Sequence, residues 1–239
     1  MIQRTQITCF LLMAVLFLTS GCNTASKKSA LITRGEAFTQ IYTEKPRSIV
    51  VLPPINTSTL PRATDYYMAT IEEPLSQAGY DVLPQISVNK IIEKKNVQDT
   101  KALYSLPLNT LYEFFDTDTV LYTRIKQWDI AQTGLISRLI ISIEAEILST
   151  KTSQQLWRYN SSLNIDLNTL KSSTGSLQVL IQEMLSDSDE ATETATAYGQ
   201  RLNSKLTRDL PYGPNHTEYL KDQENEMIGS VPEKSILNN

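Results

Sequence analysis

Ser48-Ile49-Val50-Val51-Leu52-Pro53-Pro54 is the stretch from which the fold is read. Four consecutive large apolar residues, three of them β-branched, are closed by two prolines that a ladder of backbone hydrogen bonds does not continue through. They predict a short buried strand. A polar loop with Asn56, Thr57 and Pro61 follows, and then Tyr67, Ile71, Leu75 and Ala78 recur at helical spacing before Gly79, a C-terminal stop. Pro74 either kinks that helix or opens a second short one. Tyr80-Asp81-Val82-Leu83-Pro84 reads as a second strand, and Ser87 as the cap of a helix carrying Val88, Ile91 and Ile92. The order β-α-β-α predicts an α/β domain whose sheet starts with parallel strands.

The second half changes character. A helical segment, Leu108 to Phe115, precedes a strand from Thr119 to Trp128. Leu139, Ile141, Ile143, Ala145 and Ile147 then alternate with Ser142, Glu144 and Glu146, the pattern of an antiparallel strand with one wet face. Trp157, Tyr159, Ser161, Leu163 and Ile165 share one face of a third strand, so residues 119 to 165 predict a three-stranded meander joined near Gly134 and Lys151. Two helices are expected to cover it, one through Leu177, Leu180, Ile181, Met184 and Leu185, the next through Ala191, Ala195, Tyr198, Leu202 and Leu206. Pro211 and Pro214 end the second. The whole is a mixed sheet flanked by helices.

Working back to the start, Arg4 and then the apolar run Ile7 to Leu18 read as a signal peptide over residues 1–21. The run is shorter than the about 20 residues a membrane-crossing helix needs. Leu18-Thr19-Ser20-Gly21-Cys22 resembles the lipobox of bacterial lipoproteins, in which the peptidase cuts before the cysteine and the thiol takes the lipid. Cys22 is therefore the expected lipidation site. The chain has two cysteines, Cys9 and Cys22, so cleavage and lipidation leave no thiol for a disulfide. Residues 22–46 read as a lipidated N-terminus and tether, whose extended span would be on the order of 80 Å at about 3.3 Å per residue. The domain is expected over 47–215, and 216–239 as a polar tail without structure.

Beyond the lipobox, three stretches carry a wider resemblance: Val51-Leu52-Pro53-Pro54-Ile55-Asn56, Glu73-Pro74-Leu75-Ser76-Gln77-Ala78-Gly79-Tyr80-Asp81-Val82-Leu83-Pro84, and Asp118-Thr119-Val120-Leu121-Tyr122 leading to Trp128. Leu156-Trp157 and Pro211-Tyr212-Gly213-Pro214 add to it. In their order and spacing these resemble a family of uncharacterised Gram-negative lipoproteins, similar in fold to the N-terminal domain of TolB and to the periplasmic part of CsgG-type lipoproteins. The resemblance implies a TolB N-terminal-like fold over residues 47 to 215. Relatives carry a glycine in the turn before Leu-Trp, where this chain has Thr150-Lys151-Thr152-Ser153-Gln154, so a different turn is expected there.

Chemistry has few candidates. The one histidine, His216, stands in a Pro/Asn-rich stretch, no glycine-rich phosphate loop occurs, and no histidine-cysteine set is available for a metal or a nucleophile. Asp116 with Asp118, and Glu72 with Glu73, read as a helix-to-strand turn and a solvated helix face. The formal net charge of −4 argues against nucleic acid, which a basic patch would attract. No cofactor, metal or enzymatic activity is expected.

The sequence therefore points to a lipoprotein acting by protein contact in assembly or transport across the cell envelope. Its expected contacts are the membrane, through its lipid, and envelope proteins, with a homo-oligomer left open. Asn23, where lipoproteins retained at the inner membrane carry Asp, implies by resemblance the outer membrane, with the domain in the periplasm. Contact residues are expected in the loop at Asn56 and Thr57 and at the exposed aromatics Trp128 and Tyr159, with Tyr66 also at the surface. The alternative is a periplasmic carrier for a small apolar ligand or lipid, which needs a dry pocket of several hundred Å3 between sheet and helices.

Overall fold

Ile49, Val50, Val51 and Leu52 are all at most 1% exposed, because both faces of their strand are covered. In the computed structural model, which describes residues 31–133, 136–167 and 189–228, that strand is β2 (Ser48–Val51). It lies between β4 (Asp81–Val82) and β5 (Thr119–Thr133), parallel to both, and β3 (Ile55–Asn56) extends the parallel pairing along β5. β6 (Ile136–Ser149) and β7 (Gln155–Asp166) continue antiparallel, giving the order β4-β2-β5-β6-β7. The expected parallel start and antiparallel meander are both present.

Side-chain alternation sends the sheet into two cores. Ile49, Val51, Leu121 and Ile125 face a layer formed by α2 (Thr39–Glu44), α3 (Ala63–Gln77) and α7 (Asp189–Arg208). Val50, Leu52, Val120 and Tyr122 face α4 (Gln85–Lys94), α5 (Thr100–Tyr104) and α6 (Leu108–Phe115). Between the end of β2 and the start of β3 the β5 ladder has a gap at Thr123, and a side chain fills it. The Tyr104 hydroxyl donates to Thr123 O (2.8 Å) and accepts from Thr123 N–H (2.9 Å).

Local chemistry differs from the sequence reading in detail. Pro74 sits inside a single helix that runs on to Gln77. α4 begins directly after Pro84, which makes no side-chain cap, and already includes Ser87. Gly79 takes φ 90° after α3, and a side chain there would collide with His216. In the turn that departs from the family pattern, Ser153 stands at φ 60°, the left-handed region that glycine adopts freely. The expected helix through Leu177 to Leu185 lies outside the described residues, as do Cys22 and Gly134.

Two larger corrections concern the ends. The tether expected up to Pro46 is folded from Leu31 onward, as β1 (Leu31–Thr33), α1 (Arg34–Ala37) and α2, with Ile41 3% exposed. The tail expected after residue 216 contains α8 (Tyr219–Asp222) and β8 (Glu226–Ile228), and β8 pairs antiparallel with β1. Each half of this ribbon is too short to hold a sheet alone. A buried polar network joins them, beside the buried Phe38, Ile41 and Tyr42.

Candidate functional site

Asp222 is fully buried, and its carboxylate accepts four hydrogen bonds. Oδ1 takes Arg34 Nη1 at 2.9 Å and Asn225 Nδ2 at 3.1 Å; Oδ2 takes the Tyr42 hydroxyl at 2.6 Å and the Tyr212 N–H at 2.8 Å. Arg34 also donates to Leu210 O (3.0 Å) and Arg208 O (2.7 Å), carbonyls at the C-terminal end of α7 that no further helical turn satisfies. A cation at that end also meets the favourable pole of the helix dipole. Burial, and then the Asp222 carboxylate, push the Tyr42 hydroxyl above its ordinary range, so Tyr42 stays a donor. This network fastens residues 31–44 to residues 208–225.

A second carboxylate, Asp118, aligns the sheet. Oδ2 accepts the N–H groups of Arg47 and Ser48 at the start of β2, and Oδ1 meets Lys151 Nζ at 2.6 Å. Partial burial raises the Asp118 carboxyl, but Lys151 and the two N–H groups together hold it below the ordinary value. Glu72 accepts from Gln85 N–H at 2.7 Å, and Glu73 from Gln77. Asp116 closes α6 in the left-handed conformation. The Asp118 and Glu72 carboxylates are thus committed to the fold, while Glu73 and Asp116 are exposed.

The expected contact residues divide. Asn56 is half-buried and occupied within its own loop: Nδ2 donates to Leu60 O, and Oδ1 accepts from Ser58 N–H and Oγ. Thr57 is exposed and bonds Ile125 O through both its N–H and its hydroxyl. Tyr159 is half-buried, stacked on Trp157 at 5.6 Å, with its hydroxyl 3.3 Å from Lys205 O. The structure does not bring the loop and Tyr159 together, since β5 and β6 lie between β3 and β7.

Trp128 and Tyr66 are corrected from surface to core. Each is 2% exposed, and their rings lie 6.0 Å apart. For Trp128 the cause is a bulge in β5 between Ile125 and Gln127, which adds one residue and reverses the alternation, while Tyr66 lies on the buried face of α3. Leu121 and Ile125 face the α3 layer, and beyond the bulge Trp128 and Ile130 face it too.

What side-chain patterns could not reveal is the outer edge of β7. Leu167 N–H donates to Ser137 O (2.9 Å), and the register Leu139↔Ile165, Ile141↔Leu163, Ile143↔Ser161 keeps that phase. Odd-numbered residues of β7 therefore direct their backbone groups to β6, and Asn160, Ser162 and Asn164 direct theirs away from it. All three are exposed, and Lys205 Nζ reaches Ser162 O at 2.7 Å. Among the described residues β7 pairs with β6 alone.

An open cleft of about 350 Å3 lies at the C-terminal ends of α3 and α7, where Pro74, Ala78 and Tyr212 line it together with Gln77, Ser204, Thr207, Arg208 and His216. His216 stacks on Tyr212 at 3.7 Å and its Nδ1 accepts from Glu218 N–H. Among the described residues no cluster of His, Cys, Asp and Glu is arranged to hold a metal, and no helix is long and apolar enough to cross a membrane.

Residues 37–215 match the family described as "Putative lipoprotein GNA1162-like". The chain belongs to this family. A member from Neisseria meningitidis serogroup B, described as "Putative lipoprotein NMB1124/NMB1162", is 25% identical over 180 residues, which are 74% of this chain and 81% of that protein. The crystal structure of lipoprotein GNA1162 from Neisseria meningitidis superposes with a TM-score of 0.50 at 23% identity, covering 66% of this chain and 100% of that one. That likeness concerns the fold. A PelC dodecamer from Paraburkholderia phytofirmans is more distant, at 12% identity and a TM-score of 0.43 over 70% of this chain and 90% of that one. The family's description is of a lipoprotein and names no activity.

Proposed function

We propose that this chain is a non-enzymatic outer-membrane lipoprotein whose periplasmic domain works by protein contact, in assembly or transport across the envelope. The observation that carries the reading is the edge of β7, unpaired among the described residues, where Asn160 and Asn164 turn their backbone donors and acceptors away from β6 and Ser162 O is met by Lys205 alone. Such an edge adds a strand from a second protein through main-chain hydrogen bonds. A second copy of the chain would use the same edge. Family membership and the lipobox at Cys22 support the anchor, and Asn23 supports the outer membrane. The carrier alternative gains nothing from the cleft, which is open to solvent and of mixed lining, where a dry enclosed pocket is needed.

Photo-crosslinking in intact cells tests the contact. A benzophenone side chain at Asn160 or Asn164 is expected to trap a protein adduct that is absent when the same group replaces the exposed Glu93 on α4. Asn160→Pro removes one outward N–H while leaving the β6 pairing intact, so it should abolish the adduct at position 164 without unfolding the domain. Adducts that are equal at all three sites, or unaffected by the proline, would refute the edge as the contact.

A further inference from the structure

The segment that leads from the lipidation site into the domain is held down. Leu31–Thr33 pairs with Glu226–Ile228, and the ladder continues through Arg34 N–H to Asn225 O (2.8 Å) and Gly35 N–H to Gln223 O (3.0 Å). Directly behind it, the buried Asp222 carboxylate takes Arg34 and Tyr42, and Arg34 caps α7. Residues 34–44 therefore belong to the domain and give no length to a tether. The spacer between Cys22 and Leu31 is eight residues, 23–30. At about 3.3–3.6 Å per residue it spans no more than about 30 Å, against the roughly 80 Å that a free segment up to Pro46 would allow.

We infer that the domain is mounted close to the bilayer, and that the end bearing β1, β8 and α8 faces the lipid surface from within about 30 Å of it. This rests on the reading of Cys22 as the lipidated residue. The surface beside the ribbon is not built to adsorb by charge. Among the described residues there, Glu218, Glu224 and Glu226 outnumber Lys221, so charge on the domain does not draw this end to an anionic leaflet and the short leash sets the distance. Leu220, 78% exposed on α8, presents a large apolar side chain at this end. The far side of the sheet, with α4 and its exposed Lys94, points away from the ribbon's layer, since α2 and α4 pack in opposite cores. The C-terminal segment thus shortens the leash, by holding in the fold the residues that would otherwise lengthen it.

The test uses the acylated full chain, purified from membranes and reconstituted in vesicles of phosphatidylethanolamine and phosphatidylglycerol that carry a headgroup acceptor dye. Acylation leaves Cys22 without a free thiol, so a fluorophore can be placed on Leu220→Cys or on Lys94→Cys alone. Energy transfer from position 220 is expected to exceed that from 94 by at least about twofold. Inserting about 16 Gly/Ser residues after Ser29 should lower the signal at 220 by a similar factor. A vesicle-bound chain that incorporates fatty acid, yet shows equal transfer from both positions or no response to the insertion, overturns the inference. A chain that incorporates no fatty acid and does not bind vesicles instead overturns the reading of Cys22, and the two failures are distinct.

Discussion

Asp222→Ala removes the acceptor of four hydrogen bonds in one step and leaves the Arg34 guanidinium, only 14% exposed, without its counter-charge. Removing one partner of a buried ion pair costs about 3–5 kcal/mol, because the remaining charge stays desolvated. Four lost bonds at about 1.5–3 kcal/mol each would suggest more, so the lower figure assumes that water enters as the ribbon loosens. With a urea m-value of about 2 kcal/mol/M, the unfolding midpoint should fall by about 2 M. Arg34→Ala should cost about as much, through the uncompensated carboxylate and the uncapped carbonyls of Arg208 and Leu210. The double variant should then cost less than the sum of the singles by about 1–3 kcal/mol, since each single already breaks the shared contact. Urea unfolding followed by circular dichroism measures all three. Single variants within about 0.5 kcal/mol of the parent, or strict additivity, would refute the view that this network holds the two ends.

Other consequences can be checked with the same equipment. Trp128→Ala should destabilise by about 3–5 kcal/mol, as for a large aromatic lost from a core, whereas Trp128→Phe should cost far less, because the indole N–H has no hydrogen-bond partner to lose. A chain starting at Leu31 should unfold in one transition, while one starting at Arg47 loses the buried Phe38, Ile41 and Tyr42, on the order of 5 kcal/mol, and should melt far lower or aggregate. Asp118 has a folded pKa below its unfolded one, so its contribution is present above about pH 4 and is lost as pH falls through the folded value. Stability measured from pH 5 downward should accordingly fall less steeply in Asp118→Asn than in the parent.

The sequence made the sheet legible where side chains report backbone geometry. The apolar run Ile49 to Leu52 marked a strand covered on both faces, and the alternation from Leu139 to Ile147 marked its antiparallel part. The bulge at Ile125/Gln127 was not legible, since nothing in Arg124-Ile125-Lys126-Gln127-Trp128 announces an extra residue, and that single shift moves Trp128 from the surface to the core. The ends were misread for a different reason. Asp222 lies in a polar stretch and its partner Arg34 is 188 positions away, so neither periodicity nor composition connects them. Paired, they turn two polar segments into part of the fold. The β7 edge was hidden because its donors and acceptors are main chain, and the side chains of Asn160, Ser162 and Asn164 carry no pattern that tells which strand ends the sheet among the described residues.

The anchor underlies the proposed location, the short leash and the setting in which the β7 edge meets a partner. Mass spectrometry of the protein extracted from the membrane fraction of the organism that makes it tests this claim most directly. The expected result is a mature N-terminus at Cys22 carrying lipid on its sulfur, and none in a Cys22→Ala variant. An intact leader, or an N-terminal Cys22 with a free thiol in protein that is still membrane-bound, would contradict it.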